Sequence, residues 1–211
     1  MSDSGVPRMT PLPPSDWNAA VLEALAGFPA GLKFVMSELA AKPDTAPRGQ
    51  HLLGALALHP ALARPFLIFS EYIATASSLS ARDRELIILR ISWLHRSEYE
   101  FMQHLILARG AGIGETQLRE IEQGPDAPGW SADDAAVLRA VDELHAQARV
   151  SDATWAQLRE RFETPQLMDL LFLAGGYTTL AFALNSIGLP LEASAEPADP
   201  DVRRRLHAAR N

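Results

Sequence analysis

A chain of 211 residues, 47% apolar and 21% charged, is long enough to bury a sizeable core without disulfides or a structural metal. Its net charge of −7 argues against broad nucleic-acid binding, which leaves a basic footprint. It has no cysteine, which excludes disulfides, zinc–thiolate sites and thiol-based peroxidase or reductase chemistry.

The first fourteen residues contain Pro7, Pro11, Pro13 and Pro14 and read as extended chain. MSDSGVPRMTPLPPSD has no basic stretch followed by an apolar run, so no secretory signal is expected. No apolar stretch reads as reaching the roughly 18 residues of a membrane span, and a cytoplasmic location is the expectation. Ser15 or Asp16 is expected to cap a short helix through WNAAVLEALAGF, ended by Gly27 or Pro29. Residues 31–41 are apolar at helical spacing, and KPDTAPRGQ is a loop. HLLGALALHP gives a helix stopped at His59-Pro60, and ALARPFLIFSEYIATA another with Pro65 in or near its first turn. After a break at Ser77–Ser80, Ser80-x-x-Asp83 resembles a capping box and opens a helix that ends near His95. There Leu86, Leu89, Ile91 and Trp93 are apolar among charged neighbours.

The next helix begins near Ser97, gathers Phe101, Leu105 and Ala108 on one face and stops at Gly110 or Gly112. Residues 114–123 make a short helix, and Ser131-x-x-Asp134 caps DDAAVLRAVDELHAQA, whose apolar period is 3.6 residues. Val150-Ser151 starts another through WAQLRERF. Thr164-Pro165 begins a segment, QLMDLLFLAGGYTTLAFALNSIG, that is apolar nearly all round and interrupted by Gly175-Gly176. Such a segment belongs in a core or a subunit interface. The tail, ASAEPADPDVRRRLHAARN, reads as disordered or as an arm on a neighbouring subunit, its arginines solvated. With no strand alternation, fixed-period repeat or Gly-rich phosphate loop, the fold class is all-α.

Glu85, Ser97, Glu100 and His104 stand at offsets of zero, twelve, fifteen and nineteen. That spacing resembles the active-site pattern of the carboxymuconolactone decarboxylase and alkylhydroperoxidase D (AhpD-like) superfamily. Its peroxidase branch has a glutamate, then C-x-x-C, then a histidine after three more residues. Here Ser97 and Glu100 occupy the two cysteine positions, so the chain resembles a cysteine-free member. LALHPALARPFLIFSEYI is similar to the helix preceding the pattern, ARDRELIILRISW to the first catalytic helix and SEYEFMQHLILARGAGI to the second. YTTLAFALNSIGLPLE resembles the C-terminal helix of cysteine-free members. Residues 50–192 are thus read as the family's helical domain, 1–49 as an extension with short helices and 193–211 as a polar tail. The resemblance implies an AhpD-like helical bundle and a homo-oligomer (trimer, hexamer or dimer) with sites near subunit contacts.

Glu100 and His104, four apart on one helix, share a face, where a carboxylate raises an imidazole pKa and fixes its tautomer. Glu85 would bring a second carboxylate from the preceding antiparallel helix. Two carboxylates around one histidine make a proton relay suited to decarboxylation, isomerisation or lactone chemistry. Ser97 at a helix N-terminus would favour a substrate carboxylate, and Tyr99 would donate to a developing oxyanion if it faces the pocket. Tyr72 and Trp93 are candidate pocket walls. Two other readings stand beside this one. Glu100 and His104, with Glu85 or His59, form a set of metal ligands, or the protein is a catalytically silent ligand-binding or assembly scaffold. Ser97-x-x-Glu100 is also a capping box in its own right. The expectation is a cofactor-free, metal-free acid–base enzyme of lyase or isomerase type. It would act on a small anionic lactone or carboxylic acid, with no nucleic-acid or membrane partner.

Overall fold

The computed structural model describes residues 7–195 and 200–208, and the regular structure among them is entirely helical. The chain forms two compact units, one of residues 7–76 with 183–195, the other of 77–182 with 201–208. The expected extended start lies partly outside the described residues, as do 196–199 and 209–211 of the tail.

The first unit contains α1 (Ala19–Leu25), α2 (Pro29–Ala41), α3 (Gln50–Ala57) and α4 (Pro60–Glu71), the last running into a π-helical turn, Tyr72–Ala76. The cap of α1 is Asn18, whose side chain accepts the Val21 N–H at 3.1 Å. Ser15 and Asp16 instead fall in a 3-10 turn that Pro14 begins, so the cap lies two or three residues later than expected. Pro65 sits in the second turn of α4, which continues without one bond to the Ala61 carbonyl. Val21, Leu25, Val35, Leu53 and Leu67 form the core with Trp17. The Trp17 indole donates to the Leu12 carbonyl at 3.0 Å, and the Leu12 N–H donates to the Gly54 carbonyl at 2.9 Å. A Cβ at Gly54 would stand 2.6 Å from the Leu12 oxygen, so the N-terminal segment lies on α3 because residue 54 has no side chain.

The second unit holds α5 (Ala81–Leu94), α6 (Glu98–Gly110), α7 (Glu115–Gln123), α8 (Ala132–Gln147) and α9 (Asp152–Arg161), with most of α10 (Thr164–Ile187) and α11 (Pro200–Ala208). Its centre is α5, buried on every side from Glu85 to Ser92 and packed chiefly on α6 and α8. Two of the charged neighbours of its apolar residues, Glu85 and Arg90, are enclosed with them, and each buried Leu or Ile contributes about 1.5–3 kcal/mol. Arg90, in the middle of this helix, is buried too. It forks onto Asp142 of α8 at 2.6 and 2.9 Å and donates to the Ile121 carbonyl of α7 at 2.6 Å. A buried guanidinium is tolerated when its donors are satisfied in this way.

The helix starts are tied to one another. Ser80 caps α5 by accepting the Asp83 N–H at 3.1 Å, and Asp83 also receives Arg161 of α9 at 2.6 Å. Ser131 caps α8 through Asp134 N–H at 3.0 Å, and Asp134 receives Arg82 of α5 at 2.7 Å. Ser151 caps α9 through Thr154 N–H at 3.3 Å, while its own N–H and hydroxyl donate to Glu143 of α8 at 2.7 and 2.9 Å.

Two expectations are corrected at the end of the chain. First, α10 passes through Gly175-Gly176 without a break. Tertiary packing outweighs the roughly 1 kcal/mol that each mid-helix glycine costs. It is also long and apolar enough, by length and composition, to cross a membrane, although no such stretch was expected. Half of its most apolar window is buried inside the protein, through residues such as Leu170, Leu173 and Ala181, as in a core helix. Met168, Phe172 and Phe182 are 49%, 52% and 60% exposed and share one line along it with Gly175 and Thr179. Second, part of the tail is the helix α11. Arg203 and His207 both pair with Glu98, the latter at 2.6 Å, and Arg205 pairs with Glu122 at 2.8 Å. The buried Leu206 anchors it, so these arginines are not merely solvated.

Candidate proton-relay site

The turn between α5 and α6 sets the site. His95 caps the end of α5, Arg96 takes a left-handed conformation with φ of 53°, and the Ser97 N–H returns to the Ser92 carbonyl at 2.8 Å. A left-handed non-glycine residue costs roughly 1–2 kcal/mol. In exchange the two helices reverse within a few residues and run antiparallel. Glu85 on α5 and His104 on α6, nineteen residues apart, are thereby neighbours.

His104 is held at both ring nitrogens. Its Nδ1 is 2.8 Å from Glu85 Oε2, and its Nε2 is 3.1 Å from the Tyr177 hydroxyl of α10. The tyrosine ring meets the imidazole edge-on, with centroids 5.1 Å apart. With Glu85 ionised, Nδ1 carries the proton that the carboxylate accepts, which leaves Nε2 of a neutral imidazole to accept from Tyr177. Burial, with the charges of Glu85 and Glu100 adding to it, holds the Tyr177 phenol well above its ordinary range, so it stays protonated as a donor. The side chains of His104 and Glu85 are 13% and 11% exposed, so the pair retains an edge to solvent.

Glu100 does not orient the histidine, contrary to what their shared face suggested. Its carboxyl is buried, and neither oxygen has a hydrogen-bond partner among the described residues. Burial raises its pKa to about 8; Ser97 lies near enough to oppose the shift in part, without a hydrogen bond of normal geometry. Near pH 7 Glu100 is therefore mostly a neutral carboxylic acid. Ser97 is fully buried at the start of α6, but its side chain makes no capping bond, so the expected Ser97–Glu100 capping box is not formed. Tyr99 is buried beside Glu100 in the sequence, and Trp93 packs against Phe101 with centroids 5.4 Å apart. Tyr72 belongs to the first unit, 48% exposed in its π-helical turn. His59 caps α4, also in the first unit. Among the described residues, no three His, Asp or Glu side chains are grouped to hold a metal ion.

Residues 60–143 match the model of the carboxymuconolactone decarboxylase family, CMD. Over these residues the chain resembles that family. No curated protein sequence matches the chain. Three solved structures show that its fold is AhpD-like. A protein from Agrobacterium tumefaciens described as a putative antioxidant defence protein AhpD aligns with a TM-score of 0.60 at 18% identity, over 64% of this chain and 94% of its own. An AhpD-core, peroxidase-related protein from Ralstonia eutropha JMP134 aligns at 0.66 and 15% identity, over 79% and 87%. The debrominase Bmp8, in complex with 2,3,4-tribromopyrrole, aligns at 0.68 and 14% identity, over 94% and 95%. At these identities the likeness establishes the fold. Within the matched segment lie Glu85, Ser97, Glu100 and His104; Tyr177 lies beyond it.

Tyr177 is the residue that sequence reasoning missed. A signal was present: it is one of three tyrosines in the chain and follows Gly175-Gly176 in an otherwise apolar helix. A buried phenol needs a hydrogen-bond partner, which here is the His104 imidazole.

Proposed function

We propose that the protein is a cofactor-free acid–base enzyme acting on a small anionic lactone or carboxylic acid, with His104 as the proton-transfer centre. The observation that carries this reading is the continuous line Glu85–His104–Tyr177, beside a carboxyl that is neutral at pH 7. A proton taken up at Nε2, directly or through the Tyr177 hydroxyl, leaves an imidazolium facing Glu85 at 2.8 Å. Glu85 stabilises that cation and holds the ring in place. Glu100 then serves as the acid, giving its proton to the carbon that loses carbon dioxide or receives the shifted hydrogen, and it is reprotonated at the end of the cycle. Ser97 and Tyr99 would contact the substrate. The family match and the AhpD fold of a debrominase support the conversion of a small molecule; the lactone or acid is inferred from the acid–base groups.

Assembly as a homo-oligomer is part of the same proposal, supported by the exposed apolar line on α10. The deciding experiment is His104→Gln, assayed on unsaturated and β-keto acids and on lactones, alongside circular dichroism and light scattering. Turnover should fall by about 10²–10⁴-fold with helix content and mass unchanged. Undiminished turnover in a folded variant would overturn the relay.

A further inference from the structure

The first unit contains a cavity of about 190 Å³ that the relay does not use, between the end of α2 and the loop before α3. Arg48 and Lys42 contribute cations to its lining, Glu38 one carboxylate and Thr45 a hydroxyl, while Phe34 and Pro47 supply apolar walls. Neither Arg48 nor Lys42 has a carboxylate at ion-pair distance among the described residues. The Arg48 guanidinium carbon stands 5.8 Å from the centroid of the Phe34 ring. Its Nη1 is buried without a hydrogen-bond partner, and it is the one nitrogen among the buried side-chain atoms so placed in the described residues. Arg48 as a whole is only partly buried, and a carboxylate drawn against its guanidinium would give this unpaired cation an acceptor.

We infer that this cavity is a second binding site, for a small organic carboxylate whose charged group meets Arg48 and Lys42 and whose apolar body lies on Phe34 and Pro47. The charge count decides the sign of the ligand: two cations face one carboxylate. The walls decide its body, because a bare inorganic anion would leave Phe34 and Pro47 unused. The volume lies below the ~300 Å³ at which drug-sized pockets begin, which sets the size at one ring or a short chain. Arg48 suits the role better than a lysine would, since its planar fork can meet both carboxylate oxygens while its face rests on an aromatic ring.

The probe is benzoate, titrated into the full chain while backbone amide shifts are followed by NMR. Saturable movement is expected at Phe34, Thr45 and Arg48, with benzyl alcohol and inorganic phosphate each binding at least tenfold more weakly. Arg48→Gln should weaken benzoate at these amides at least tenfold, with Arg48→Lys intermediate. Glu38→Gln, a change at the rim that leaves the fold intact, should tighten it two- to threefold. Movement confined to Ser97–His104, phosphate binding as tightly as benzoate, or indifference to both Arg48→Gln and Glu38→Gln would overturn the inference. Repeating the titration in His104→Gln separates the two sites: the Phe34–Arg48 response should survive there unchanged, whatever that variant does to turnover.

Discussion

Glu100→Gln isolates the buried carboxyl from every other group. In the folded protein Glu100 keeps its proton up to a pKa of about 8, against an ordinary value of 4.5. Below pH 4.5 both folded and unfolded chains hold the proton, and the group is neutral to stability. Between 4.5 and 8 the unfolded chain releases the proton and the folded chain does not, so stability falls as pH rises. At 1.36 kcal/mol per unit, the loss reaches about 3 kcal/mol at pH 7 and levels off near 5 kcal/mol above pH 8. A neutral amide of the same shape has no such dependence. Urea denaturation at intervals from pH 4.5 to 8.5 should therefore show wild type and Glu100→Gln converging at the acid end and diverging steadily above it. The variant should be more stable by about 3 kcal/mol at pH 7, or about 6–12 °C in melting temperature for a chain of this size. If the variant is also the slower enzyme, the neutral acid is being kept for function at the expense of stability. Parallel pH profiles for the two proteins would refute the burial argument outright.

Three further perturbations probe the surrounding structure. Tyr177→Phe removes the donor at His104 Nε2, and should cost about 1 kcal/mol of stability while moving the Nε2 nitrogen resonance in imidazole NMR; an unmoved resonance contradicts the 3.1 Å contact. Arg90→Ala strips the clamp between α5, α7 and α8 and should cost about 3–5 kcal/mol by urea denaturation. Gly54→Ala should destabilise by about 1–3 kcal/mol and loosen the Leu12 amide in hydrogen exchange, because its Cβ would meet the Leu12 carbonyl. The gain of roughly 1 kcal/mol that helix propensity alone predicts would show that the approach is not tight.

The sequence disclosed the helical class and most helix starts because those signals are local. Ser80 with Asp83 and Ser131 with Asp134 read as caps, and both make the bond. Local signals mislead where two compete: Pro14 claims a 3-10 turn at Ser15 and Asp16, and Asn18 takes over as the cap. Gly175-Gly176 reads as a break because propensity weighs glycine without the packing that surrounds it. The sequence allowed Glu85 and His104 to meet across two antiparallel helices but did not decide that they converge, since that depends on how α5 and α6 cross; their catalytic role remains the proposal. Tyr177, seventy-three residues beyond His104, was not legible, since no periodicity specifies which side chain of an enveloping helix reaches a given imidazole. For the same reason α11 looked like loose tail: its anchors, Glu98 and Glu122, are about eighty or more residues away.

The three capping serines of the second unit form a closed circuit. The start of α5 leans on Arg161 of α9, the start of α9 on Glu143 of α8, and the start of α8 on Arg82 of α5. Arg82 sits at the start of its own helix, whereas Arg161 and Glu143 come from the far ends of α9 and α8. A helix that opens along its whole length therefore withdraws a partner from the start of another, and complete opening of any one of the three is coupled to the other two. The amides of their middle turns should exchange with solvent at one common, high opening energy, and the floor beneath Glu85 and His104 should open as one piece.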